Sequence, residues 1–319
     1  MHRFAVATAA ATLLLIAAGG LVTSTESGLS VPDWPTTYGW NMFTFPMSKW
    51  VGGIRFEHTH RLIASAVGLL TIILAAWLQR REERSWVRRL GWGALAAVVA
   101  QGLLGGLTVI FLLPTAVSVA HACLAQTFFC LVVTIALVTS PRFRAGGTAA
   151  ASFVSRAAAM TTALVFLQLL AGAVMRHTKA GLAIPDFPLA LGHIVPPIAS
   201  FAVAIHFAHR VGAVLVASAA AVCVAASVRL ARPGLAKTAW FLAAAVAAQI
   251  ALGALTVLSK KDVVFTTAHV ATGALVLGLS LALFIASRRT SSSPPSLRER
   301  VGVRGDLQSG LLPEAVAWK

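Results

Sequence analysis

Glu-His-Thr-His-Arg at 57–61 and His-Phe-Ala-His-Arg at 206–210 are the stretches around which this sequence is organised. An apolar run follows each one directly, 62–78 after the first and 211–228 after the second. Runs of this length are close to the ~20 residues that cross a bilayer as an α-helix. Each stretch therefore places a His-Arg pair at the start of a predicted membrane-spanning helix.

A second histidine follows each stretch at nearly the same distance. His121 comes 61 residues after His60 (121 − 60), and His269 comes 60 residues after His209 (269 − 209). Self-similarity at a fixed spacing is the mark of an internal repeat. The sequence therefore predicts a duplicated unit that carries two histidines in each copy.

The composition identifies a membrane protein. The chain has 319 residues, of which 58% are hydrophobic and only 11% charged, and its mean hydropathy is +0.82. This is too little charge to cover the surface of a soluble protein, so we predict an all-α polytopic membrane protein. Eight apolar runs fit that class: 4–22, 60–79, 90–113, 116–139, 157–175, 205–228, 238–258 and 263–287.

The positive charge of the chain indicates how it is oriented in the membrane. The formal net charge is +16, but the basic residues lie in short loops between apolar runs, so no nucleic-acid partner is expected. Their concentration in alternate loops predicts that both termini are cytoplasmic, in a bacterial-type inner (cell) membrane. The run 4–22 has the length of a signal peptide, but we interpret it as a retained helix. The reason is that the loop 28–35 after it is echoed at 181–188.

The later helices extend the repeat. Gln-Gly-Leu-Leu-Gly-Gly-Leu-Thr-Val at 101–109 matches 249–257 at an offset of 148 (249 − 101). We predict two duplicated four-helix bundles in parallel orientation, 1–145 and 150–289, followed by a disordered cytoplasmic tail at 290–319. The three cysteines all lie in apolar runs, so no disulfide is expected: Cys123, Cys130 and Cys223.

The four histidines indicate two bis-histidine haem sites. Facing imidazoles in a bundle suit the two axial positions of a haem iron, which predicts the pairs His60–His121 and His209–His269. A single intramembrane histidine is more often a packing residue, but four in duplicated positions favour function. Nearby glycines either admit a flat macrocycle or let helices pack closely: Gly102, Gly105, Gly106 and Gly253.

Arginines follow the first histidine of each pair. Arg61 and Arg210 are expected to pair with haem propionates by charge-assisted hydrogen bonds. The alternative is that both are interfacial arginines that extend to lipid headgroups.

One carboxylate breaks the symmetry. Glu57 precedes His60 by three residues, whereas the matching position (57 + 149) is His206. We therefore expect proton-coupled chemistry in the first half and a permanent electron-transfer haem in the second. The alternative is an interfacial Glu57 paired with Arg55 or Arg61.

The outer loops carry further expectations. We place His58 in a loop, and we interpret the aromatic-rich loop 25–55 as a lid over the first site or an aromatic belt at the membrane surface. Asp33 and Asp186, in matched Pro-Asp-aromatic-Pro segments, are expected to shape turns.

These residues resemble the heme A synthase family. The resemblance covers residues 1–289 and rests on Glu-x-x-His-Arg at 57–61, His121, His209-Arg210 and His269. It implies an oxidoreductase that converts a ring methyl of haem O to a formyl group, giving haem A for terminal oxidase assembly. It further implies that the catalytic acid is Glu57, that substrate haem binds at His60 and His121 with Arg61, and that a haem b cofactor binds at His209 and His269 with Arg210.

The resemblance has one departure, and two other functions compete with it. Many bacterial members carry a cysteine pair in the first outer loop, whereas 25–55 contains none here. The main alternative is a bis-histidine two-haem cytochrome that only transfers electrons, and a third is a transporter, for which deep intramembrane carboxylates are lacking. Expected partners are haem O, membrane lipid, an electron donor or acceptor, and haem O synthase. The oligomeric state stays open.

Overall fold

The computed structural model describes residues 1–146, 150–230 and 233–288, so the predicted tail at 290–319 lies outside the described residues. Within these ranges all regular elements are helices, without a strand, and eight helices are long and apolar enough to cross a membrane. The prediction of an all-α polytopic membrane protein is thereby confirmed. The spans are α1 His2–Ser24, α2 Ile54–Arg81, α3 Ser85–Ile110, α4 Thr115–Val138, α6 Ser152–His177, α7 Phe201–Leu230, α8 Pro233–Leu258 and α9 Val263–Ser287, with a short α5 at Pro141–Arg144.

Matched tight turns reverse the chain between α3 and α4 and between α8 and α9. The backbone N–H of Leu113 donates to the carbonyl of Thr108, and that of Lys261 donates to the carbonyl of Thr256, both at 2.7 Å. These six-residue bonds satisfy carbonyls at the helix end, as in a Schellman motif. The new helix then starts at once, α9 with the Asp262 side chain accepting from the N–H of Val264 at 2.9 Å.

The helices pack in two groups. Helix α1 packs against α2 and α4, and α3 also packs against both, so α2 and α4 occupy diagonal corners. In the same way α7 and α9 occupy diagonal corners between α6 and α8. The groups meet where α1 contacts α9 and where α4 contacts α6 and α9. Each group encloses its own apolar core, one around Phe128 and Leu74 and the other around Leu242 and Leu277.

The two long loops that precede α2 and α7 each contain a turn organised by an aspartate, as expected. Asp33 accepts from the N–H groups of Tyr38 and Gly39 at 2.7 and 2.8 Å. Burial acts to raise the pKa of Asp33, but hydrogen bonds from Gly39, Thr36 and Tyr38 outweigh it and hold the pKa below its ordinary range. Gly39 has φ +75, which glycine adopts without a steric penalty.

The second turn repeats the first. Asp186 accepts from the N–H groups of Gly192 and Leu191 at 2.8 and 2.7 Å, and these bonds hold its pKa below the ordinary range. Gly192 has the same φ of +75 as its counterpart in the first loop. The prediction that both aspartates shape turns is confirmed.

Candidate functional site

The four histidines lie at similar depth. They come six, six, eight and six residues after the first residue of their helices (60 − 54, 121 − 115, 209 − 201 and 269 − 263). At a rise of about 1.5 Å per residue this is roughly 9–12 Å from each helix start. The four helices are alternate spans, so they start at the same face of the membrane. The histidines are His60 on α2, His121 on α4, His209 on α7 and His269 on α9.

Each histidine ring lies against a glycine of the neighbouring helix. A β-carbon placed on Gly19 would lie 3.1 Å from Cε1 of His60, and one on Gly105 would lie 3.2 Å from Cε1 of His121. The second group repeats this contact, with Gly172 at 3.1 Å from His209 and Gly253 at 3.0 Å from His269. Real β-carbons rarely approach so closely, so the imidazoles occupy space that only glycine leaves open.

The other two glycines that the sequence singled out, Gly102 and Gly106, do not contact a histidine. A β-carbon on Gly106 would lie 2.6 Å from the ring of Trp34 in the first outer loop, and one on Gly102 would meet nothing within 4 Å. Of the four glycines first considered, only Gly105 and Gly253 therefore face the histidines, and they contact imidazole.

The two histidines of each predicted pair lie on helices at diagonal corners, α2 and α4 in the first group and α7 and α9 in the second. Within the described residues no cluster of three or more His, Cys, Asp or Glu side chains exists to hold a bare metal ion. Two imidazoles suffice for haem iron, because the porphyrin supplies the equatorial ligands.

Unsatisfied polar atoms and the glycine contacts together fit a haem. The Nδ1 atoms of His60 and His121 are buried without a hydrogen-bond partner among the described residues. A ring whose Nε2 binds iron carries its proton on Nδ1, and that proton commonly finds an acceptor. In the second group the Gln249 carbonyl lies 3.2 Å from Nδ1 of His269 and can accept this proton, so that ring fits an iron bound at Nε2. In the first group the unpaired ring nitrogens of His60 and His121 are themselves available to an iron.

Glutamines on the flanking helices also contact the histidines, a feature that sequence reasoning missed. Gln101 Nε2 donates to the carbonyl of His121 at 3.0 Å, and its counterpart Gln249 lies beside His269, whose Nδ1 is 3.2 Å from the Gln249 carbonyl. Both glutamines stand in the repeat 101–109 and 249–257, so the repeat itself was the available signal.

A third glutamine has no counterpart in the first half. Gln168 Nε2 lies 2.7 Å from the carbonyl of His209 and 3.1 Å from its Nδ1, and the amide fits only because residue 212 is glycine. The matching positions (168 − 153 and 212 − 149) are Leu15 and Ile63, which both pack in the apolar core. The second histidine pair therefore has a polar tether where the first has a hydrocarbon contact.

Glu57 is buried beneath the first outer loop, with only 3% of its surface exposed. Its Oε2 accepts from the N–H of Val31 at 2.8 Å, and its Oε1 pairs with Arg61 at 2.7 Å. The contact with Arg61 that the alternative named is therefore present. Since α2 begins at Ile54, Glu57 also lies about one helical turn before His60, on the same side of the helix.

Arg61 is engaged with the backbone of the outer loop. Its guanidinium donates to the carbonyls of Val31, Asp33 and Thr36 at 2.9, 2.7 and 3.0 Å. Arg210 does the same in the second loop, donating to Ile184, Asp186 and Leu189 at 3.0, 2.6 and 2.7 Å. Both arginines therefore hold their loops over the histidine-bearing end of the helices.

His206 takes the place of Glu57 in the second half. Its Nδ1 accepts from the N–H of Ile184 at 3.2 Å, and Ile184 matches Val31 in the loop repeat (184 − 153). Glu57 and His206 thus hold equivalent points of the two loops, but only one of them offers a carboxylate.

The placement of His58 in a loop is wrong. His58 lies in the second turn of α2 and is buried, with its Nδ1 3.2 Å from Thr37 Oγ1. Phe45 and Trp50 pack against its ring at centroid distances of 5.1 and 4.7 Å. Because α2 begins at Ile54, before the polar stretch 57–61, His58 is helical. The loop residues Phe45 and Trp50 then cover its ring.

Cys123, Cys130 and Cys223 are free thiols.

Comparison with known proteins shows the family of this chain. A profile of the family described as "Cytochrome oxidase assembly protein" matches residues 2–50 and 44–281. Heme A synthase of Halalkalibacterium halodurans is 31% identical over 231 residues, which cover 67% of this chain and 73% of the relative. That of Symbiobacterium thermophilum is 32% identical over 225 residues, covering 67% and 71%. That of Geobacillus kaustophilus is 27% identical over 309 residues, covering 91% and 92%. This chain therefore belongs to the heme A synthase family.

Proposed function

We propose that this protein is a heme A synthase, an oxidoreductase that oxidises a ring methyl of haem O to a formyl group. The observation that carries the proposal is the carboxylate of Glu57, placed one helical turn from His60 and replaced by His206 in the other half. An electron-transfer protein with two equivalent haems has no need for this difference.

In this proposal the chain consists of two duplicated four-helix bundles with different tasks. Substrate haem binds in 1–145 between His60 and His121, and a haem b cofactor binds in 150–289 between His209 and His269. The contact pattern of the helices, the four glycine–imidazole contacts and the tether from Gln168 to His209 support this assignment. When bound, the second haem supplies a one-electron redox centre.

Glu57 has the catalytic role. Oxidation of a methyl group requires electrons and protons to leave the carbon, and a buried carboxylate near that carbon accepts a proton or stabilises developing positive charge. The Arg61 guanidinium and the Val31 N–H hold the two carboxylate oxygens of Glu57 in place.

Arg61 and Arg210 orient the sites through the outer loops. Their hydrogen bonds to loop carbonyls fix the loops above the histidines. With the Glu57 bond counted, these leave only the Nε–H of Arg61, and the Nε–H and one Nη1 proton of Arg210, for haem propionates. The loop 25–53 packs on α3 through Trp34 and on α2 through Phe45, which supports a lid over the first site.

The setting follows from the helix order and the loop charges. Both termini face the cytoplasm of a bacterial-type cell membrane, and all four histidines lie toward the outer face. The partners are haem O, the surrounding lipid, an electron donor or acceptor, and a haem O synthase that delivers the substrate.

The decisive experiment is pigment extraction and mass analysis of membranes from cells that make haem O. Wild type is expected to yield haem A, and Glu57→Gln to accumulate haem O or a hydroxylated intermediate. Glu57→Gln retains a side-chain oxygen for the Val31 N–H, so it removes the charge with little change of shape. If wild type carries only haem B and leaves haem O unchanged, the two-haem electron-transfer cytochrome is the correct function.

A further inference from the structure

Arg176 lies in the last turn of α6, where α1, α6 and α9 meet. Its Nη2 donates to the carbonyl of Gly20 at 2.8 Å and to Ser24 Oγ at 3.0 Å, both on α1. Ser24 Oγ is in turn 3.3 Å from Thr267 Oγ1 on α9. The guanidinium thus lies at the seam between the two helix groups.

This cation has no carboxylate partner. The ion pairs found in 1–146, 150–230 and 233–288 join Arg61 to Glu57, and Arg84 and Arg144 to Glu82, but none includes Arg176. Only the Nη2 atom of Arg176 makes hydrogen bonds within these ranges. A guanidinium near apolar surroundings is costly without a counter-charge, and the helix C-terminus offsets only part of that cost.

Arg176 is on the side of α6 that faces the second histidine pair. Gly172, which leaves space for the His209 ring, precedes Arg176 by four residues (176 − 172), and residues four apart share a helix face. Through Ser24, Arg176 is also linked to Thr267, which lies two residues before His269 on α9. Arg176 therefore lies beside the proposed haem b site.

The first half lacks this cation. The residue that matches Arg176 (176 − 153) is Thr23, whose hydroxyl donates to its own helix at the Gly19 carbonyl, 3.0 Å away. Meanwhile the Nη1 and Nη2 atoms of Arg61 and Arg210 already bind loop carbonyls. Among these arginines Arg176 has the least engaged guanidinium.

We propose that Arg176 binds a propionate carboxylate of the haem held by His209 and His269. This assignment rests on the proposed function, because it takes the ligand of the second half to be a haem. The guanidinium provides two donors in a fork that matches a carboxylate, and the pair neutralises both charges at the seam.

The test compares two forms of one ligand. Protein prepared from haem-deficient cells, in a His60→Ala background that disables the first site, is titrated with haem b and with haem b dimethyl ester. Protein with Arg176 is expected to bind haem b, whose propionates are free, about tenfold or more tightly than the dimethyl ester. The reason is that a hydrogen bond to a charged group contributes an affinity gain of that size. Arg176→Gln is expected to reduce this preference about tenfold, with the part contributed by Arg210 retained, and Arg176→Lys to reduce it less.

A control separates this effect from loss of structure. Arg88 also tethers backbone carbonyls, those of Glu82 and Glu83, but at the opposite end of the bundle, so Arg88→Gln is expected to leave the preference unchanged. If wild-type protein bound haem b and its dimethyl ester equally well, that result alone would overturn the assignment. Equal ratios of the two affinities in wild type and in Arg176→Gln would also overturn it. A lipid headgroup on Arg176 would give that second result. Absence of any haem binding by His209 and His269 would instead contradict the proposed function itself.

Discussion

Gly19 and His60 are in contact so close that a β-carbon on the glycine would lie 3.1 Å from Cε1 of the imidazole. The same relationship joins three further glycine–histidine pairs, at 3.0 to 3.2 Å. A side chain at any of these glycines would require the ring to shift by a few tenths of an ångström. We therefore regard the glycines as positioning residues for the four histidines proposed as haem ligands.

Alanine at Gly105 is expected to impair the first haem site. The added methyl group displaces His121, at a cost typical of overpacking, about 1–3 kcal/mol. The measurement is haem content per polypeptide, with low-temperature EPR to detect a changed ligand geometry. Gly102→Ala is the matched control, because a β-carbon there meets nothing within 4 Å. Equal haem content and spectra in both variants would show that the contact has no role.

Removal of the Gln168 tether is expected to weaken the second site selectively. Gln168→Leu introduces the residue found at the matching position, Leu15, and removes hydrogen bonds to the carbonyl and ring of His209. A loss of about 1 kcal/mol in haem binding is expected, seen as faster haem transfer from the second site to an apo-globin acceptor. Gln79→Leu, which breaks a hydrogen bond to Trp92 at the other end of α2, provides the control. Unchanged transfer in Gln168→Leu would contradict the tether.

The second outer loop is expected to loosen only in acid. Hydrogen bonds from Gly192 and Leu191 hold the pKa of Asp186 below its ordinary range. A carboxylate with a lowered folded-state pKa stabilises the loop above its unfolded pKa, and this stabilisation is lost as the pH falls through the folded pKa. Exchange of the Leu191 and Gly192 amides, corrected for intrinsic rates, should therefore stay constant near neutrality and rise below about pH 4. Asp186→Asn should raise it at neutral pH as well. Fast, pH-independent exchange in wild type would contradict this account.

Local patterns in the sequence were sufficient for the helices and for the histidines. Apolar runs indicated the eight spans, and the nearly equal spacings of 61 and 60 residues indicated the matched histidines. Asp33 and Asp186 were placed correctly because an aspartate in a short turn acts on its own neighbours in the chain.

Contacts between helices were not predictable in the same way. Gly19 faces His60 because of how α1 and α2 are rotated about their axes, which nearly uniform apolar sequences do not reveal. His58 was misplaced because the contacts that bury it, from Phe45 and Trp50, are made by the folded loop. The backbone carbonyls that engage Arg61 and Arg210 have no sequence signature at all.

The central claim is that Glu57 contributes its carboxylate to the reaction in addition to holding the outer loop. The most direct measurement is the haem A to haem O ratio in membranes of Glu57→His, which introduces the side chain that holds the second loop at His206. Retained haem b at His209 and His269, together with an unchanged proteolytic pattern of the loop 25–53, would show that the variant folds. We predict that this folded variant accumulates haem O and makes little haem A. Wild-type conversion by Glu57→His would contradict the account, because the reaction would then not require a carboxylate at this position.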